Sequence, residues 1–168
     1  MTSRLLVDKI EGKSTSGNVI MPAGMVVQTT FHTFSTETSI TSSSDTDIAS
    51  ASVTFTPKFA SSLLILTCSV LVNVYRANIN NGGSINFVVD SSNISHASQT
   101  YEIYDSNPSG STNIYDRFHK EVSTNASNTN AKTIKLVGKI YNTGNSGAMI
   151  INPSGNYTSS IKIQEIAQ

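Results

Sequence analysis

Residues 63–75 read LLILTCSVLVNVY and contain no Gly, Pro or charged residue. At period two, Leu64, Leu66, Cys68, Val70, Val72 and Val74 form one wholly apolar set. Leu63, Ile65, Thr67, Ser69, Leu71, Asn73 and Tyr75 form a second set that is half apolar. Alternate side chains of a strand face opposite sides of its sheet. The first set therefore predicts a core face. The second is too apolar for open water and predicts at least partial cover, for which a second subunit is the natural candidate in so short a chain. A membrane-spanning helix needs about 20 apolar residues; this run is shorter and is broken by Thr67, Ser69 and Asn73. Val70, Val72 and Val74 alternate instead of recurring at helical spacing, which favours a central strand over a buried helix. Leu63, Ile65, Leu71 and Tyr75 are thus the candidate subunit-interface residues.

The same reading, applied from the N-terminus, predicts two short strands at residues 4–10 and 18–21, separated by a turn-rich break and stopped by PAG at 22–24. Their apolar residues, Leu5, Leu6, Val7, Ile10, Val19, Ile20 and Met21, are too few to build a core. Residues 1–24 are therefore expected to be a docking arm that packs against its own knob, a sister subunit or a larger particle, with residues 25–168 forming the knob. Strands are predicted at 25–34, around 39–41, and at 48–56, the last with Ala49, Ala51, Val53 and Phe55 on one side. Residues 76–83, rich in Asn and Gly, predict a turn, and 85–89 then form a hairpin with the central strand. A polar loop over 90–99, a short strand at 100–104 and a loop at 105–112 follow. Residues 113–122 form a strand with Ile114, Asp116, Phe118, Lys120 and Val122 on one side and Tyr115, Arg117, His119 and Glu121 on the other. Further strands are predicted at 133–141, 148–151 and 157–166. Roughly eight to ten strands with turns at short intervals predict an all-β fold, an antiparallel β-sandwich or jelly roll.

Composition narrows what such a fold can do. Charged residues make up 13% of the chain and the formal net charge is zero. No basic field exists to hold a phosphate backbone, which argues against nucleic-acid binding; low net charge instead suits a protein packed in an assembly. The single cysteine, Cys68, sits in the apolar strand and reads as a small buried hydrophobe, not a nucleophile. The opening MTSRLLVDKIEG carries charge where an export signal needs an apolar stretch, so the chain is expected to remain in the cytoplasm that makes it until assembly. His32, His96 and His119 lack metal-ligand spacing, and Asp45 and Asp47 lack the spacing of a calcium loop. Glu102, Asp105 and Asp116 are the acids a sugar-cleaving pair would draw on, but so short a chain lacks a long polysaccharide cleft. The three Asn-X-Ser/Thr triplets at Asn93, Asn125 and Asn156 are what chance produces in this composition. No enzyme, cofactor or metal is expected.

PAGMVVQ (22–28), TFSTETSIT (33–41), VTFTPK (53–58), ASSLLIL (60–66) and SSIKIQEIA (159–167) together resemble a knob domain of bacteriophage tail-fibre and virion decoration proteins, familiar from cyanophages and marine phages. Phe59 stands where that pattern has a small polar residue, and residues 82–158 match it in rhythm more than in letters. The opening LLVDKIEGKSTSGNVIMP is similar to the segment that precedes such knobs. The resemblance implies a homotrimeric β-sandwich on the particle surface, whose partners are its own copies and phage capsid or tail proteins. With no long shaft between arm and knob, a capsid decoration (cement) protein or a short head or tail fibre is expected. The alternative is a receptor-binding module whose loops 76–83, 105–112 and 123–130 touch a host surface glycan, with Tyr101, Tyr104 or Tyr115 as stacking rings. Neither reading involves membrane insertion.

Overall fold

The computed structural model describes residues 22–77, 80–94, 103–105, 110–144 and 146–168. The strands are β1 (Val26–Phe34), β2 (Thr38–Ile40), β3 (Thr46–Phe55), β4 (Leu63–Ala77), β5 (Asn81–Val89), β6 (Ser92–Ile94), β7 (Ile103–Asp105), β8 (Ser111–Asn125), β9 (Lys132–Ile140), β10 (Ala148–Ile151) and β11 (Ser159–Ile166). The only helical turn among the described residues is a 3-10 turn, Pro153–Gly155. All strand pairing is antiparallel. The first sheet runs β1-β11-β4-β10-β2, with β8 on the other edge of β4; the second runs β3-β9-β5-β6, with β7 also on β5.

The predicted central strand is the spine of the first sheet. β8 follows one edge of β4 from Leu63 to Ala77. The opposite edge is shared: β11 pairs with Leu63 to Ser69, and β10 pairs with Val72 to Tyr75. At the join, the Leu71 N–H donates to Ser159 Oγ (3.1 Å) and its carbonyl accepts from Asn152 N (3.0 Å). Asn152 reaches this position with a left-handed backbone (φ 48°) just before Pro153, so the 3-10 turn passes the chain from one strand to the next while both backbone groups of Leu71 stay bonded.

Leu64, Leu66, Cys68, Val70, Val72 and Val74 are all buried and share one core with Ile85, Phe87 and Val89 of β5 and Ile134, Leu136 and Ile140 of β9. The two sheets therefore pack face to face as a sandwich, held mainly by apolar burial at about 25 cal/mol per Å². One seam is stitched by side chains of the first sheet that bond to the second. His32 Nε2 donates to Ser50 O (2.6 Å), and Gln28 Nε2 donates to Thr56 O (2.9 Å). At the other seam, Lys120 Nζ of β8 donates to Ile85 O (3.0 Å) and Asn86 Oδ1 (2.7 Å). Ile85 lies between the stretches of β5 that β7 and β6 pair, so Lys120 serves a carbonyl in that interval.

Four expectations are corrected. β5 does not form a hairpin with β4: the two belong to opposite sheets, because each edge of β4 is already taken by β8 or by β10 and β11. Gly82 and Gly83 are strand residues, not turn residues. A Cβ on Gly82 would stand 2.4 Å from Ile103 O, and one on Gly83 would stand 2.5 Å from Met149 Sδ. Both glycines serve close approach, not positive φ. In β3 the inward residues are Ile48, Ala51 and Phe55, with Val53 half-buried, while Ala49 faces out. Ser50 (φ 59°) sits at a register shift between Asp47 and Ser52, and this bulge resets the alternation. A similar shift at Val27 moves Val26 onto the same face as Thr29 and Phe31. Finally, part of the expected loop 90–99 is strand: Asp90 and Ser91, both at positive φ, turn β5 directly into β6.

Candidate functional site

Strand register defines the outer face of the first sheet. Leu63, Ile65, Thr67, Ser69, Leu71, Asn73 and Tyr75 of β4 stand beside Asn125, Ser123, Glu121, His119, Arg117, Tyr115 and Asn113 of β8. On the other flank they meet Ile166, Gln164, Lys162 and Ser160 of β11 and Ile150 and Ala148 of β10. β1 adds Val26, Thr29, Phe31 and Thr33. The four residues expected at a subunit interface, Leu63, Ile65, Leu71 and Tyr75, all lie on this face and are half-buried within the single chain. Thr67, Ser69, Arg117, His119, Glu121 and Lys162 form a polar band between two apolar groups. One group is Leu63, Ile65, Ile166 and Val26, with Phe31 at the margin of the band; the other is Leu71, Tyr75, Ile150 and Tyr115. Phe31 is 69% exposed and Tyr115 62%. Leu63, Ile65, Glu121, Val122 and Ser123 line an open hollow of about 220 Å³. Asn73 is buried, and its Nδ2 donates to Asn113 Oδ1 (3.0 Å).

The two ends of the sandwich differ. At one end lie the start of β1, the end of β11, the 56–62 turn and the 126–131 loop. Gly24 N donates to Ala167 O (2.8 Å) and Ala167 N to Met25 O (2.9 Å), so residue 22 enters at this end. The predicted arm residues Leu5, Leu6, Val7, Ile10, Val19, Ile20 and Met21 lie outside the described residues. At the opposite end β4 runs towards β5, β8 begins and β9 runs into β10. There the Tyr104 ring meets Tyr141 edge-on, with centroids 5.4 Å apart, and Asn80 Nδ2 donates to the Tyr104 hydroxyl (2.7 Å). Asn81 ties the same corner: its Oδ1 accepts from Gly82 N (2.8 Å) and Asn142 N (3.1 Å). Both rings are nearly half exposed.

Of the expected glycan rings, Tyr104 and Tyr115 stand on different sheets. Tyr104 pairs with Gly82 on the outer side of the second sheet, and Tyr115 is on the outer side of the first. Tyr101 lies outside the described residues, as do His96 and Glu102. Residues 123–130 sit at the arm end, away from the described residues of the other two loops of that reading. Tyr141, which the sequence reading placed at the end of the 133–141 strand, follows the last residue of β9 and is the ring that accompanies Tyr104.

A second feature missed in the sequence is Glu165. It continues the inward set Ile161 and Ile163, so alternation alone places it on the core face, and it is fully buried. Its carboxylate accepts from Lys58 N (2.9 Å), Phe59 N (3.0 Å), Gln28 Nε2 (2.6 Å) and Ser62 Oγ. Burial acts to raise its pKa. The bonds from Ser62, the Lys58 and Phe59 N–H groups and Gln28 act the other way and together prevail, holding the carboxyl below its ordinary range. Gln28, Lys58, Ser62 and Glu165 come from residues 22–28, 53–58, 60–66 and 159–167, four of the five stretches singled out in the sequence.

The charged residues of β8 serve structure. Arg117 Nη1 donates to Ser69 Oγ (3.3 Å), Glu121 accepts from Thr67 Oγ1 (3.2 Å), and Lys120 bridges the seam. Asp45 accepts from Asn93 Nδ2 (2.9 Å), and Asp47 holds Lys135 Nζ (2.6 Å). Among the described residues no three His, Cys, Asp or Glu side chains cluster as a metal site. Cys68 is buried at the centre of the core. The chain matches no protein-family model and no curated protein.

Proposed function

We propose that this protein is a non-enzymatic structural component of a bacteriophage virion. In this reading it is a homotrimeric, jelly-roll-like knob on the particle surface, either a capsid decoration protein or a short head or tail fibre, anchored by residues 1–24. The observation that carries the reading is the convergence on Glu165. Sequence stretches far apart in the chain, each similar to phage knobs, meet at one buried carboxylate, so the likeness is that of a folded unit and not of scattered strings. The outer face of the first sheet supplies the apolar surface that sister chains would cover, and residue 22 enters at the end opposite the Tyr104–Tyr141 pair, which leaves the arm end for the particle.

Removal of residues 1–21 tests the anchoring. The full chain should bind particles lacking it, and the shortened chain should lose most of that binding, because three tethered arms act together. Equal binding by the shortened chain would sink the anchoring role. A second reading, glycan recognition, is favoured by one observation: Tyr104 and Tyr141 present two half-exposed rings beside Asn80 at the end away from the arm. Glycan-array binding that Tyr104→Ala abolishes would support it; background signal from the full chain would remove it.

A further inference from the structure

The outer face of the first sheet carries a projection and a recess on opposite halves. The projection is Phe31, the most exposed large apolar side chain among the described residues, and its register partner on β11 is Lys162. The recess is the hollow between β4 and β8, floored by Leu63 and Ile65 and edged by Glu121 and Ser123. Each half thus pairs an apolar element with one charge, and the two charges have opposite sign. We infer that Phe31 of one copy seats in the Leu63–Ile65 hollow of a second copy, with Lys162 of the first facing Glu121 of the second. This contact rests on the reading of that face as the subunit interface and specifies its register.

Three features select a second copy of this chain as the occupant. The two halves complement each other in shape and in charge. Neither half complements itself, since two Phe31 projections or two hollows would leave apolar area wet or empty. The apolar group around the hollow, with Val26 and Ile166, continues the surface already assigned to sister chains. Each chain then gives its projection to a neighbour and receives one in its hollow; exchanged between two copies this closes a pair, and passed from copy to copy it closes a ring when the rotation permits. Phe31 would be the anchor, because a buried aromatic in a pocket dominates an interface, and the ion pair at its margin would set which half meets which.

Charge exchange across the contact tests this. The full chain, Phe31→Ser, Lys162→Glu, Glu121→Lys and the double variant Lys162→Glu/Glu121→Lys are compared by sedimentation over a range of concentrations, with thermal unfolding as the check that each is folded. Phe31→Ser should weaken association at least about tenfold. Each single charge reversal should weaken it severalfold, and the double variant should return to within about twofold of the parent. Association that the single reversals leave intact, or a double variant that fails to recover, would overturn the inferred register while leaving the subunit interface standing. A parent chain that stays monomeric throughout would overturn the interface itself.

Discussion

Four groups donate to Glu165 in a site without solvent access, and the sign of its titration follows from them. In the unfolded chain a glutamate titrates near about pH 4.3, and in the fold its pKa is lower. The carboxylate therefore contributes its full stabilisation above the unfolded value and loses it as pH falls through the folded one. Glu165→Gln should flatten the acid limb of the stability curve relative to the parent, as read by urea unfolding at a series of pH values. Glu165→Ala leaves the donors without an acceptor and should cost about 3–5 kcal/mol at neutral pH. The glycines give a second residue-scale test. A methyl on Gly82 meets the backbone carbonyl of Ile103, whereas one on Gly83 meets the flexible end of Met149. Gly82→Ala should therefore cost more than Gly83→Ala, the first in the upper part of the roughly 1–3 kcal/mol range for overpacking, measured by the same unfolding titrations.

β8 flanks β4 and pairs with it along its whole length, so its other side is an edge among the described strands. Long edges invite pairing with other chains, and inward-pointing charges are one device that prevents it. Asp116 and Lys120 are such charges, since they share the inner side with Phe118 and Val122. Lys120→Met should remove the bonds to Ile85 O and Asn86 Oδ1, lower stability by about 1–2 kcal/mol, and raise light scattering on mild heating. Unchanged stability would show that the seam does not depend on this side chain. Elements whose alternation is regular were legible in the sequence: β4 appears with the predicted inward set, and β9 and β11 appear where strands are predicted. In β3 the predicted Ala51, Val53 and Phe55 do face in, and only Ala49 was misplaced, because the bulge at Ser50 offsets the residues before it and period two carries no mark of it. The pairing of β4 was misread for a different reason. A short Asn/Gly connection signals a hairpin locally, but partners in a sandwich are chosen by which edges distant strands have already occupied.

At the scale of the molecule, the half-apolar second set of β4 did indicate a face with unusual apolar content, but residues outside that strand complete it. Phe31 lies in a strand of mixed character, and the Val27 bulge hides its alignment with Val26. Glu165 was visible as a core-face position, yet its donors lie more than a hundred residues away, and pattern reading does not join them. Association through this face makes a prediction independent of any particular contact. If folded chains assemble and unfolded ones do not, unfolding is coupled to dissociation, and the midpoint depends on concentration. For three chains, each tenfold dilution removes about 2.7 kcal/mol per assembly, twice the roughly 1.4 kcal/mol that a tenfold change in one equilibrium constant represents. The thermal midpoint should therefore climb steadily as the protein is concentrated. The same slope should persist without residues 1–21, because among the described residues the core cluster and the outer face are built from residues 26–168. Scanning calorimetry at several concentrations of both chains checks this: a slope in the full chain that vanishes on truncation would move the association from the sheet face to the arm, and a flat response in both would mean that the knob stands alone.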